Sequence, residues 1–153
     1  MSSRLSKLLK NPPGKILFVG IGNVLKSDDG VGVYICNHIR PSNYVSMLIV
    51  EVSIENYIGK INKSGASLLI LTDCVDLGKT PGYWDLLPAE ELIDLTFHTH
   101  NISLKIISEL FNMQVWILGI QPGNTSFGED LTPEIRKTAD AIIKLINNHR
   151  KNG

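Results

Sequence analysis

The side chains of this chain that could carry chemistry are aspartates and histidines that lie next to apolar runs. Gly20-Ile-Gly-Asn23 and Asp28-Asp29-Gly30 come after a first apolar run, Glu51 after a second and Asp73 after a third. His98 and His100 precede a further apolar segment with helical spacing. Carboxylate oxygens and imidazole nitrogens are ligands of divalent transition ions, and a site with few protein ligands leaves positions for water or substrate. The pattern therefore makes a two-acid, one-histidine metal site available.

If the carboxylates lie close together, they need a cation or hydrogen-bond donors beside them to stay ionised. Like charges oppose the ionisation of both carboxyl groups unless a cation or hydrogen-bond donors offset the repulsion. Spacing alone also fits a simpler interpretation, in which Asp28 caps a helix, Asp73 caps a turn, and His98 and His100 are solvated. Taken by itself, the spacing favours this simpler interpretation, because scattered aspartates and histidines are weak indications of a site.

The glycine-rich segment after the first run suggests a nucleotide-binding loop as well. The dinucleotide fingerprint requires a third glycine three residues after Gly22, and this chain has Leu25 there. The sequence contains no complete G-x-x-x-x-G-K-[ST] phosphate loop and no G-x-S-x-G segment. Cys36 and Cys74 have no histidine motif beside them and are predicted to be core residues. We therefore expect no nucleotide cofactor and no thiol nucleophile.

Strand-like and helix-like segments alternate along the chain. Apolar, β-prone runs predict five strands, at residues 15–19, 46–50, 67–72, 83–87 and 115–120. Helical spacing predicts helices from Ser27 or Asp28 to Pro41, over 54–61, over 102–110, and from an N-cap at Thr132 to Ile146. The run 67–72 is the most apolar and is predicted to be central, whereas Pro88 favours an edge position for the fourth strand.

This alternation predicts an α/β fold, a three-layer α/β/α sandwich on a mainly parallel, twisted sheet of about five strands. Parallel strands need crossover connections, which are right-handed, and these put helices on both faces of the sheet. We expect one domain over residues 1–153, because this length is near that of a typical domain. In such sheets the working site lies outside the carboxyl ends of the strands. The acids named above are predicted to converge there.

Composition and charge narrow the choice of partners. Fifteen basic and fifteen acidic side chains cancel, so no one-signed field would attract nucleic acid or an anionic membrane. The first twelve residues lack the apolar core of a secretory signal, and no apolar run reaches membrane-spanning length. The two cysteines match no zinc or redox spacing. The sequence thus predicts a soluble, cytoplasmic protein without membrane insertion that acts on a small molecule or another protein.

The segment Val19-Gly-Ile-Gly-Asn-Val-Leu-Lys-Ser-Asp-Asp-Gly-Val-Gly-Val33 resembles the amino-terminal signature of the hydrogenase maturation endopeptidases. Further matches follow in order along the chain: Thr72-Asp-Cys-Val-Asp-Leu-Gly78, Pro81-Gly82, Thr99-His-Asn-Ile-Ser-Leu104 and Gly119-Ile-Gln-Pro122. The resemblance covers residues 15 to about 146. Proteins of this family remove a carboxy-terminal extension from the large subunit of nickel–iron hydrogenases once the nickel site is assembled. The last two segments resemble the branch that serves formate-hydrogenlyase and related membrane-bound hydrogenases.

The resemblance implies a site and a partner. The family's metal-binding residues are an acid after the first strand, an aspartate after the third and a histidine before the fourth helix, which fall on Asp29, Asp73 and His100. The expected ion is a divalent metal, nickel supplied by the substrate, and the expected partner is the large-subunit precursor, cut by a monomer. Either metal activation of water or a general base, Asp28 or Asp29, fits this set. The expected substrate contacts are residues of the same loops: Gly22, Asn23, Glu51 and Asn101.

One loop departs from the family pattern, and two other functions stay open. The family usually has an acid followed by two glycines after the second strand, whereas Glu51-Val-Ser-Ile-Glu-Asn56 has neither glycine. Peptidyl-tRNA hydrolases also begin with a strand and Gly-x-Gly-Asn, but they have a histidine–asparagine pair early in the chain, and here that pair is His100-Asn101. A nickel-binding chaperone that docks on hydrogenase subunits without cutting them would show the same ligands.

Overall fold

The structure, a computed structural model, describes residues 2–92 and 104–149. Within these ranges the chain forms one five-stranded sheet and five α-helices. The strands are β1 (Ile16–Ile21), β2 (Val45–Glu51), β3 (Leu68–Cys74), β4 (Trp84–Pro88) and β5 (Gln114–Ile120). The helices are α1 (Ser2–Lys10), α2 (Val31–Asn37), α3 (Ile58–Asn62), α4 (Leu104–Ser108) and α5 (Pro133–His149). Each strand lies within two residues of its predicted bounds.

The strands are arranged in the order β2-β1-β3-β5-β4. β1, β2, β3 and β5 are parallel, and β4 runs antiparallel to β5 at one edge. This confirms the mainly parallel sheet, the central position of the most apolar strand and the edge position of the strand that ends at Pro88. A proline is tolerated at an edge because its missing N–H removes no ladder bond from a second neighbour.

Alternate side chains of the central strands enter two separate cores. On one face, Ile16 and Phe18 of β1 pack with apolar residues of α1, α2 and α5. On the other face, Leu17 and Val19 of the same strand pack with residues that include Ile61 of α3 and those around α4. Strands buried on both faces read as continuous apolar runs, since neither side of the sheet meets water. The three-layer α/β/α arrangement is therefore confirmed.

Four helical segments differ from the predictions. Helix α1 was not predicted, although Leu5 and Leu9 have helical spacing and are buried against the first core. The first predicted helix is divided into a 3₁₀ turn, Ser27–Gly30, followed by α2, and Gly30 rather than Ser27 or Asp28 is the N-cap of α2. The predicted helix over 54–61 is divided in the same way, and α4 ends at Ser108, two residues before its predicted end. In the described part of the chain, no helix has the length and apolar character needed to cross a bilayer.

Gly32 allows α2 to lie against the carboxyl ends of β1 and β3. A Cβ atom at this position would overlap the carbonyl oxygen of Thr72 and would lie 2.6 Å from that of Ile21. Both oxygens belong to the backbone of the central strands, so they cannot move aside by a change of side-chain rotamer. A side chain as small as a methyl group would push the helix off the sheet.

We therefore expect Gly32→Ala to lower the free energy of unfolding by about 3 kcal/mol, at the upper end of what overpacking usually costs. The control is Gly59→Ala in α3, where nothing lies within 4 Å of the added Cβ. There the better helix propensity of alanine should raise stability by about 0.5 kcal/mol. Urea denaturation of the two variants measures both effects, and equal shifts of the two midpoints would contradict the close-approach argument.

Candidate active site

Two of the three predicted metal ligands are buried aspartates at the carboxyl edge of the sheet. Asp29 follows β1 on the 3₁₀ turn, and Asp73 is the next-to-last residue of β3; both are 0% exposed. Because β1 and β3 are parallel and pair Gly20 with Thr72, their carboxyl ends meet at the same edge. The fold therefore brings together two acids that are far apart in sequence, as the alternation of strands and helices predicted.

Only one oxygen of the Asp29 carboxylate has a hydrogen-bond donor in the described part of the chain. Oδ2 accepts the backbone N–H of Asn23 at 2.8 Å, whereas the buried Oδ1 has no donor among the described residues. Gly22, with φ at 138°, is needed for this contact, since a Cβ there would overlap the Asp29 carbonyl oxygen. A buried carboxylate oxygen without a donor is costly, and a cation is the kind of group that offsets the cost.

Several carboxylates lie around the end of β3, where Asp73 is located. Its Oδ1 accepts the backbone N–H of Cys74 at 2.7 Å, which orients the carboxylate. Burial, followed by the charges of Asp73, Asp29, Asp28 and Asp76, raises the pKa of the neighbouring Cys74 thiol. Four carboxylates that act on one thiol show that negative charge concentrates at this edge of the sheet. Such a concentration attracts cations and opposes the formation of a thiolate.

Asp28 has a different role from its neighbour Asp29. Its Oδ2 accepts the backbone N–H groups of Gly123 at 2.9 Å and Asn124 at 2.8 Å, and its Oδ1 accepts that of Thr132 at 2.7 Å. The Thr132 hydroxyl also donates to both oxygens, at 3.1 and 2.9 Å. The expectation that Asp28 caps the helix that follows it was wrong; the carboxylate instead holds the loop after β5 and the start of α5. A carboxylate with its lone pairs occupied is poorly suited to act as a general base.

Gln121 lies beside the candidate site. In the sequence it was indicated only as part of the segment Gly119-Ile-Gln-Pro122, which resembles the family. Its Oε1 accepts the backbone N–H groups of Leu77 at 2.6 Å and Lys79 at 3.3 Å. Its Nε2 donates to Asp76 Oδ1 at 3.2 Å. This side chain fixes the loop after β3, next to Asp73, against the end of β5. Its partners are more than 40 residues away in sequence, so no local pattern marks it.

The remaining predicted residues divide into two groups. Glu51 ends β2 with an exposed side chain and a φ of 53°, and its carbonyl oxygen accepts the Gly22 N–H at 3.0 Å. His98, His100 and Asn101 lie outside the described residues. Within the described ranges, no three histidine, cysteine or acidic side chains are grouped to hold a metal ion. The predicted set has only its two aspartates there, so the third ligand stays a prediction.

Both cysteines are buried core residues, as predicted, and both are free. Burial raises the pKa of the Cys36 thiol to about 12, and a hydrogen bond with Thr72 lowers it only partly. A thiol with such a pKa carries almost no thiolate at neutral pH, and the thiolate is the nucleophilic form. Neither cysteine is therefore a candidate nucleophile, and the acids are the candidate reactive groups at this edge.

Comparison with known proteins matches residues 37–149 to the family model described as hydrogenase maturation protease, which is more than half of the chain. A Methanocaldococcus jannaschii relative that bears this name is 27% identical, over 95% of this chain and 94% of its own length. The hydrogenase 3 maturation protease of Escherichia coli is 22% identical, over 87% of this chain and 89% of its own length.

Solved structures show the same fold. A crystal structure of a [NiFe] hydrogenase maturation protease, HycI, from Thermococcus kodakarensis superposes with a TM-score of 0.84. It is 24% identical, and the match covers 97% of this chain and 99% of that one. The solution structure of the HycI endopeptidase from Escherichia coli has a TM-score of 0.79 at 21% identity, over 88% and 90% of the two chains. On the family match, this chain belongs to the hydrogenase maturation protease family and is a hydrolase.

Proposed function

We propose that the protein is the endopeptidase that removes the carboxy-terminal extension from the large-subunit precursor of a nickel–iron hydrogenase, after nickel has been inserted. Family membership supports the reaction type, and the Escherichia coli relative is named for the maturation of hydrogenase 3. The observation that carries the site is the buried Asp29 Oδ1, which has no donor among the described residues. This oxygen is available to a cation or to a proton.

The proposed ligands of the substrate's nickel are Asp29, Asp73 and His100. Carboxylate oxygens and an imidazole nitrogen suit a divalent transition ion, and three protein ligands leave positions for the precursor and for water. The two described members agree with this role, because both are fully buried and lie in a region of concentrated negative charge. When bound, a divalent ion would polarise the scissile carbonyl or lower the pKa of a coordinated water.

The chain's own groups prepare the site for hydrolysis, in which the hydroxyl of water joins the carbonyl carbon and a proton goes to the leaving amine. The Asn23 N–H and the Cys74 N–H orient the carboxylates of Asp29 and Asp73. Of the two adjacent aspartates, Asp29 keeps a buried oxygen that no described donor occupies, whereas Asp28 is fully hydrogen-bonded. We therefore propose that Asp29 contacts the ion or the reacting water. Asp28 positions the loops.

The proposal is tested with large-subunit precursor from the same organism, prepared with and without nickel and incubated with the protein. Mass spectrometry before and after incubation should show loss of a carboxy-terminal peptide from the nickel-loaded precursor alone. Equally fast loss from the nickel-free precursor would exclude recognition of nickel. An unchanged mass together with stable binding would favour the non-cleaving nickel chaperone instead.

His100 and His98 provide a matched pair of substitutions. His100→Ala is expected to reduce cleavage by roughly 100-fold, the lower end of the effect of a group that acts at the reacting atoms. His98→Ala changes the same residue type two positions away and should keep cleavage within a few-fold of the parent. Initial rates of peptide release measure both. Full activity of His100→Ala, or a larger loss with His98→Ala, would contradict the ligand assignment.

Location and assembly belong to the same proposal. Two free, buried cysteines agree with a reducing compartment, which supports action in the cytoplasm. We propose a monomer, so that the carboxyl edge of the sheet is open to a folded precursor. The peptidyl-tRNA hydrolase alternative is set aside, since the chain belongs to a protease family.

A further inference from the structure

Exposed apolar side chains are concentrated around the candidate active site. Four of the seven large apolar side chains exposed in the described part of the chain lie on loops at the carboxyl edge of the sheet. We call these four the apolar rim: Val24, Leu25, Val52 and Phe127. The other three lie before β2 or in and just after α4: Tyr44, Ile106 and Leu110. Single exposed apolar residues are ordinary, but a group that borders one site marks a surface for interaction.

Hydrogen bonds between two loops hold Leu25 and Phe127 next to each other. The Gly128 N–H donates to the Leu25 carbonyl oxygen at 2.8 Å, and the Ser27 N–H donates to that of Gly128 at 2.7 Å. Lys26 and Gly128 form a parallel bridge, so Leu25 and Phe127 each lie one residue before a paired position. The rim therefore joins the loop after β1 to the loop after β5.

The exposure of Phe127 is not explained by packing within the chain. This side chain is 85% exposed, although the loop that carries it is anchored by bonds from Gly123 and Asn124 to the buried Asp28. The anchored backbone holds an aromatic ring in water, which costs free energy that a partner surface would recover. The rim is continuous with the site, because Asn23, which donates to Asp29, directly precedes Val24 and Leu25.

From this placement we infer that the apolar rim is the docking surface for the hydrogenase large-subunit precursor, and that Phe127 and Leu25 contact apolar residues of the precursor close to the scissile bond. The inference rests on the proposed function, since a polypeptide whose scissile bond reaches Asp29 must lie against the rim. Contacts of this kind are the same in the bound substrate and in the transition state, so they affect binding rather than the chemical step.

The experiment compares Phe127→Ser and Leu25→Ser with Tyr44→Ser, which removes an exposed aromatic side chain before β2, at the opposite edge of the sheet. For cleavage of nickel-loaded precursor, Phe127→Ser should raise KM about tenfold with kcat unchanged, and Leu25→Ser should act in the same direction. Tyr44→Ser should leave both constants unchanged. Calorimetric titration of each protein with nickel-free precursor, which is not expected to be cleaved, measures Kd separately from cleavage and should show the same order. Circular dichroism confirms that each variant is folded.

The outcomes separate the two proposals. If the parent protein cleaves the precursor but Phe127→Ser leaves KM and Kd within twofold, the docking surface is wrong and the proposed function stands. If the parent binds in a Phe127-dependent manner without cleaving, the docking surface stands and the proposed function fails. Absence of both binding and cleavage overturns both. A parent dimer that Phe127→Ser converts to a monomer would assign the rim to self-association and overturn the inference.

Discussion

Asp29→Asn is expected to reduce cleavage of the precursor by about 1000-fold, within the range for a group that acts directly on the transition state. The amide oxygen can still accept the Asn23 N–H, so the turn after β1 should keep its structure. The oxygen that now has no described donor is replaced by a neutral amide nitrogen, which is a weak ligand and a weak base. Peptide release from nickel-loaded precursor, followed by mass spectrometry, measures the loss.

The same substitution should leave the fold as stable as the parent or more stable, by up to about 1 kcal/mol. A buried neutral group without a partner costs less than a buried charge, and one negative charge is removed from a region that contains several. Asp76→Asn is the control, because it removes a charge from the exposed side of the same region and should retain most of the activity. Loss of stability in Asp29→Asn that matches its loss of activity would indicate a purely structural role.

Asp28→Ala is expected to lower the free energy of unfolding by about 4 kcal/mol. The carboxylate accepts bonds from Gly123, Asn124 and Thr132, and each bond to a charged acceptor contributes about 1 kcal/mol or more even where water can reach the donor. The variant also removes part of the attachment of the loop after β5 to the turn after β1, where backbone bonds such as that from Ser27 to Gly128 remain. Urea denaturation at neutral pH measures the change.

Asp130→Ala serves as the control for this prediction, since Asp130 is an exposed acid on the same loop. Its removal should change stability by no more than about 0.5 kcal/mol. The outcome also decides between the roles considered for Asp28. A variant that is as stable as the parent but inactive would identify Asp28 as a reacting group, contrary to the positioning role that its hydrogen bonds support.

Features of the fold that depend on neighbouring residues in the sequence were predictable from it. Each strand is a continuous apolar run because the sheet is covered on both faces, so the strands were located within two residues. The order of strands and helices then required a mainly parallel sheet. Pro88 indicated the edge strand, since it cannot donate to a second neighbour. The glycine and aspartate motif of the first loop, with matches further along the chain, identified the family that the comparison confirmed.

The roles of individual site residues depended on contacts between distant parts of the chain. Asp28 and Asp29 are adjacent and identical in type, yet one is bonded to residues 95 to 104 positions away and the other keeps a buried oxygen without a described donor. Gln121 holds a loop that begins more than 40 residues earlier. Gly32 is needed because α2 meets the backbone of β1 and β3. The order of residues along the sequence determined which side chains reach the carboxyl edge of the sheet. Only the packing of the loops decided that Asp28 is hydrogen-bonded and that Asp29 keeps an oxygen without a described donor. The reason is that hydrogen-bond geometry depends on neighbours in space.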